Sequence, residues 1–453
     1  MARLSRTRTT VPALVAVAMV AAGCTHGDPS RAGAADAVGT AGVVGATEAG
    51  SVRAEREQCQ ETTKNACYTA DQLRTAYGVD ELADKGITGK GRTIAVVDPI
   101  GAPNAAEDLK AFSRKMGLPE PDLRIVDHRP DSGSEVPFDW SDRTMAVSAL
   151  ETTMDLQAAH AMAPDAQLVL HRMGAAPDDV DDQISPQALT QLVEVLAGIS
   201  DDGSADVVSL SLGYPEVGDE VRGYGRLYAQ ISELFREMDK EGVTVVASSG
   251  DNGVYDPNAS GSGAEVRTVE WPAADPNVTA VGGTRLSLDD DGRRTAPDTV
   301  WNDEVGAPGG GRSRVFAQPG YQGEGRVAEL ARGRRAVPDV SLTASATAGT
   351  MIYFTSDKGS RWVPVGGTSL AAPLFAGMVA LAAQHRGEGL GNVNPRLYGL
   401  APSPEAGERA GVVDITSGTN GKGGFRAGEG YDLASGLGTV DAAALVPALA
   451  GKG

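Results

Sequence analysis

Cysteine, aromatic residues and positive charge are all scarce in this chain, and each scarcity closes off some chemistry. Only three of the 453 residues are Cys, 5% are aromatic, and 40 Lys and Arg face 60 Asp and Glu. The formal net charge of −20 and the sequence pI of about 4.7 exclude non-specific attraction to nucleic acid. They permit work in acid, where many carboxylates are protonated. Apart from Cys24, the cysteines are Cys59 and Cys67. Neither stands beside a His or in a nucleophile turn, which argues against a catalytic thiol. Close in sequence, they read as a small disulfide loop formed in an oxidising compartment. Beyond the first 24 residues, no apolar run is long enough to cross a bilayer.

The N-terminus reads as a targeting segment. Arg3, Arg6 and Arg8 precede a short apolar stretch over 11–22, and Ala21-Ala22-Gly23-Cys24 resembles a bacterial lipoprotein cleavage box with Cys24 as the acylated residue. Residues 25–57, rich in Ala, Gly and small polar residues, read as a flexible tether. The protein is therefore expected outside the cytoplasm, either secreted or lipid-anchored through Cys24, and touching the membrane only there.

From residue 68 the pattern changes, and the many turns implied by 58 Gly and 25 Pro now separate regular elements. A helix is expected over 68–82, and the strand Thr93-Ile94-Ala95-Val96-Val97-Asp98 ends in a carboxylate. Helices near 104–115 and 144–163, a strand over 167–170, strands over 207–212 and 243–248 and a helix over 223–240 follow. Short apolar strands separated by helices imply an α/β fold, a parallel sheet covered on both faces. In such sheets, sites lie at the carboxyl ends of the strands.

Three segments carry chemistry. Gly366-Gly367-Thr368-Ser369-Leu370-Ala371-Ala372-Pro373 sets a Ser at the start of an apolar helix, near free backbone N–H groups that suit an oxyanion. Glu151 and Asp155, four residues apart, share one face of a helix that is otherwise largely apolar or small. Buried together, the pair repels; one carboxyl is held protonated while its neighbour can act as a base. Ala247-Ser248-Ser249-Gly250-Asp251-Asn252-Gly253 places Asp251 at a strand end, where it can donate to an oxyanion only when protonated. None of His26, His128, His160, His171 or His385 lies in a Gly-rich helix-start motif of the kind a His-activated serine peptidase needs.

Together, and in this order, these segments resemble the sedolisins, the serine-carboxyl peptidases of subtilisin-like fold, from about residue 67 to about residue 443. The resemblance implies one large catalytic domain over 58–453 that acts as a monomer on proteins or peptides in acid. It implies Ser369 as nucleophile, Glu151 as general base, Asp155 orienting and polarising Glu151, Asp251 as oxyanion donor, and Asp98 as a supporting carboxylate. It also implies one structural calcium ion in the loop 413–432, held by the side chains of Asp414 and Asp432 and the carbonyls of Ile415, Gly428 and Gly430. Calcium suits such hard oxygen ligands. Sedolisin precursors usually carry a long folded propeptide, and 25–57 is too short and polar to be one. Two alternatives remain: a catalytically silent or binding protein on the same scaffold, and tripeptide release in place of internal cleavage.

Overall fold

The computed structural model describes residues 44–128, 137–174, 185–217, 223–256, 266–401 and 403–452. The targeting segment with Cys24, and the tether up to residue 43, lie outside the described residues.

An eight-stranded sheet forms the centre. Its order across the sheet is Thr299–Val300, Val278–Arg285, Thr244–Ser248, Val207–Leu210, Thr93–Asp98, Gln167–Arg172 and Asp122–Asp127, with Val340–Thr343 also pairing to Val278–Arg285. All pairings are parallel except that of Thr299–Val300. The expected parallel α/β architecture is present.

Period-two alternation splits the strand side chains between two cores. Ile94, Val96, Val207, Val246 and Val281 face one side; Ala95, Val97, Val208, Leu210, Val245 and Ala247 face the other. The first face is covered by two helices, Arg143–Met162 and Thr368–Arg386, which also pack on each other. Both lack a polar stripe because nearly every position is buried. The second face is covered by Pro186–Asp202 and Gly225–Glu241, most of whose polar residues face solvent. Each fully buried Leu, Met or Phe contributes about 1.5–3 kcal/mol. The register Val97 to Leu210 and Leu210 to Ala247 brings the carboxyl ends of three neighbouring strands to one rim.

Two segments differ from expectation. Residues 68–82 do not form one helix: Ala66–Tyr68 is a strand, and Gly78 at φ 71° separates Ala70–Ala76 from Val79–Ala83. An added Cβ at Gly78 would meet Asp441 Oδ1 at 2.6 Å, so tertiary packing sets this break. The second difference concerns the tether. From Val44 the chain is helical as far as Thr63. Val52 is buried, Arg56 is buried and donates to Asp290 at 2.9 Å, and the expected Cys59–Cys67 disulfide joins the helix to the strand that follows. A segment without amphipathic periodicity is docked here by three specific ties.

Candidate active site

Residues from five elements converge on the rim. Asp98 ends the strand Thr93–Asp98, Ser211 stands one residue past Val207–Leu210, and Asp251 lies three residues past Thr244–Ser248. The helix Arg143–Met162, capped by Asp142 accepting from the Met145 N–H at 3.0 Å, lays Glu151 and Asp155 beside them. Glu151 is 5% exposed, Asp155 0% and Asp98 1%.

The Ser369 helix enters through Gly366 and Gly367. A Cβ on Gly366 would lie 2.5 Å from Ala344 O, and the Gly367 N–H donates to that same carbonyl at 2.7 Å. Only residues without side chains allow this approach. Ser369 is the second residue of the helix and is 4% exposed. Its neighbour Thr368 ties the helix to the Asp251 turn. Asp251 Oδ1 accepts from Thr368 N at 2.8 Å and from Thr368 Oγ1 at 2.7 Å, while the Gly250 N–H donates to Thr368 Oγ1 at 3.1 Å.

Both oxygens of Glu151, both of Asp155 and one of Asp98 lack an aligned hydrogen-bond donor. The hydroxyl of Ser369 nonetheless faces Glu151, that of Ser211 faces Asp155 and that of Thr152 faces Asp98, near enough to favour each anion. Burial outweighs them. It drives the Glu151 carboxyl well above the usual range, and the charges of Asp98 and Asp251 push it further. Burial does the same to Asp155, reinforced by Glu151 and Asp98. Asp98 is raised by burial to about 7. Asp251 is raised by burial to about 6, against the two Thr368 bonds and with help from Asp303. A buried carboxyl cluster of this kind holds protons in common, so that one member is a base while another is an acid.

The structure brings Glu151, Asp155, Asp251, Ser369 and the more loosely expected Asp98 to one place. Sequence reasoning did not single out Ser211, Thr368 or Asp303. Asp303 accepts from Ser345 Oγ at 2.8 Å and Thr347 Oγ1 at 3.0 Å. Nothing in a short polar segment announces such long-range partners.

The described histidines stand elsewhere. His171 is in register with Val97, which belongs to the opposite core, and its Nδ1 lies 2.9 Å from His128 Nε2. His160 is nine residues beyond Glu151, roughly 13 Å along the helix. His385 occupies the last turn of the Ser369 helix.

The expected calcium ligands also meet. Asp414 Oδ2 accepts from the Gly430 N–H at 2.8 Å, and Asp432 Oδ2 from the Gly428 N–H at 3.1 Å. Asp432 is 2% exposed, and burial pushes its carboxyl up to about 6. The carbonyls of Ile415, Gly428 and Gly430 accept no hydrogen bond among the described residues. One buried and one half-buried carboxylate and three free carbonyls form a hard-oxygen set that fits calcium. Among the described residues no group of three or more His, Cys, Asp or Glu could hold a metal, and this set, with two acidic side chains, is not of that kind.

The subtilase family model matches residues 144–396, more than half of the chain. The chain is 30% identical to sedolisin of Pseudomonas sp. (strain 101) over 376 residues, covering 80% of this chain and 58% of that protein. It is 30% identical to kumamolisin of Bacillus sp. (strain MN-32) over 405 residues, covering 87% and 66%. It thus spans about three fifths to two thirds of these relatives. The solved structure of Pseudomonas sedolisin, complexed with two molecules of pseudo-iodotyrostatin, superposes with a TM-score of 0.68 at 29% identity, over 84% of this chain and 97% of that one. By these matches over most of its length, the chain belongs to the subtilase family, in its sedolisin branch.

Proposed function

We propose that this protein hydrolyses peptide bonds of proteins or peptides in acid, with Ser369 as the nucleophile. The observation that carries the proposal is the buried carboxylate pair facing the hydroxyl of a Ser at a helix start, with no described imidazole in reach. Glu151 takes the Oγ proton as Ser369 attacks the scissile carbonyl carbon. Asp155 orients and polarises Glu151, and Asp98 keeps a proton within the cluster. Protonated Glu151 then returns its proton to the departing amine. A water activated in the same way releases the acyl group from Ser369.

Asp251 supports the oxyanion. Its Oδ1 accepts two hydrogen bonds from Thr368, so a proton on this carboxyl resides on Oδ2, free to donate. Such a donor exists only while the carboxyl is neutral. Hydrolysis of a denatured protein across pH 2.5–8 tests the proposal. Ser369→Ala should be inactive at every pH, and Glu151→Gln and Asp155→Asn should fall by about 10³-fold or more. An active Ser369→Ala variant sinks it. Product mass spectra distinguish internal cleavage, which we propose, from successive release of tripeptides.

We further propose that Asp414, Asp432 and the carbonyls of Ile415, Gly428 and Gly430 hold one calcium ion. Its charge would offset the buried Asp432 and the half-buried Asp414 and lock the 413–418 and 427–432 segments together. Chelation at pH 6–7 should lower the melting temperature and added calcium should restore it by mass action. An unchanged melting temperature together with metal-free purified protein would count against the site. The Cys59–Cys67 disulfide supports a place outside the cytoplasm, secreted or anchored through Cys24.

A further inference from the structure

The Ser369 helix has a gap in its hydrogen-bond ladder directly at the nucleophile. In a regular helix the carbonyl of Ser369 accepts from the N–H of residue 373. That residue is Pro373, which has no N–H. The carbonyl is thereby freed in a buried place, where an unpaired backbone oxygen is unfavourable. Ser211 fills the gap. Its Oγ donates to Ser369 O at 3.2 Å from the rim of a neighbouring strand, and the residue is only 2% exposed.

The same hydroxyl also faces Asp155. A serine has one proton and two lone pairs. That proton serves Ser369 O or Asp155 but not both at once: directed at Ser369 O, it leaves Asp155 a lone pair that only a protonated carboxyl can use. Ser211 therefore stands between the backbone of the nucleophile and the second carboxylate of the pair, bonded to the first, beside the second and nearly closed to solvent.

We infer that Ser211 is a positioning residue: it replaces the amide that Pro373 lacks and ties the first turn of the Ser369 helix to the strand rim beside Asp155. This fixes the backbone from which Ser369 Oγ approaches Glu151. The inference rests on Ser369 being the nucleophile. A buried residue that acts through the backbone of another should alter turnover while leaving substrate affinity nearly unchanged.

A double-mutant cycle on the full chain tests it, with steady-state kinetics on a chromogenic peptide at the pH optimum. Ser211→Ala should lower kcat about tenfold with KM changed less than about twofold. In a Pro373→Ala background, the replacement residue supplies the missing N–H, and the loss caused by Ser211→Ala should shrink to under about threefold. Ser211→Cys, with similar volume and a weaker donor, should have a kcat between those of Ser and Ala, and if Ser211→Ala does not fold it should still lie severalfold below the wild type at nearly unchanged KM. Unchanged kcat in Ser211→Ala, equal losses in both backgrounds, or a Cys variant no better than Ala would overturn the inference. Ser369→Ala separates the two levels. If it is inactive while Ser211→Ala is unimpaired, only the Ser211 role fails. If it is active, the nucleophile assignment itself fails.

Discussion

In the mechanism we propose, a single proton at Asp251 decides between function and silence. Burial raises this carboxyl to about 6, so it is neutral in acid and ionises as the pH passes that value. Glu151 makes the opposite demand, since it must be ionised to accept the Ser369 proton. Activity should therefore follow a bell in acid, with limbs that belong to the coupled carboxylates together. Asp251→Asn keeps a donor at every pH and should extend the alkaline limb beyond that of the wild type. A pH–rate profile that keeps the same alkaline limb in Asp251→Asn would remove Asp251 from the oxyanion role. A wild-type optimum at or above neutrality would count against the carboxylate mechanism as a whole.

On the scale of the element, the helix Arg143–Met162 combines two burdens. It carries Glu151 and Asp155 to the rim, and five residues past Asp155 it buries His160, which is 0% exposed with neither ring nitrogen aligned to a partner. Burial lowers that imidazole from 6.5 to about 4. The folded state thus favours neutral His160, and the corresponding stability is lost as the pH falls below 6.5. Between 6.5 and about 4 the loss amounts to roughly 3 kcal/mol. His160→Leu keeps an apolar side chain of similar bulk and cannot protonate. In urea titrations, its stability should drop about 2–3 kcal/mol less than that of the wild type between pH 7 and pH 4. An equal drop in both proteins would show that His160 takes up its proton in the folded state as readily as in the unfolded chain, so that burial does not hold it neutral.

Across the whole molecule the carboxyls pull the other way and outnumber this histidine. Asp98, Glu151, Asp155 and Asp251 all have folded values above their ordinary ones. Raised folded values contribute stability that is complete below about 4; for Asp251 and Asp98 it is lost as the pH rises through 6 to 7, and Glu151 and Asp155 act in the same direction. The net charge of −20 adds self-repulsion near neutrality that acid relieves. The melting temperature should therefore be higher at pH 4.5 than at pH 8, by several degrees, and scanning calorimetry at the two values checks it. A higher value at pH 8 would mean that the cluster is ionised without penalty and that its burial is relieved in solution.

What the sequence determined alone is local. Glu151 and Asp155 fall on one face because a helix has 3.6 residues per turn, and Ser369 begins a helix because two glycines and an apolar run surround it. The alternation of apolar strands with helices was enough for the parallel sheet. The break at Gly78 was not legible, because it depends on Asp441, near the far end of the chain. The helix Val44–Thr63 was hidden for the same reason: its docking depends on Val52, on Arg56 meeting Asp290 and on the disulfide. Tertiary structure also decided the chemistry of the carboxyls. Whether Glu151 is a spent surface charge or a poised base depends on water, and packing of the Ser369 helix, Asp98 and the strand rim is what removes the water. Desolvation belongs to the assembled fold, and no stretch of sequence carries it.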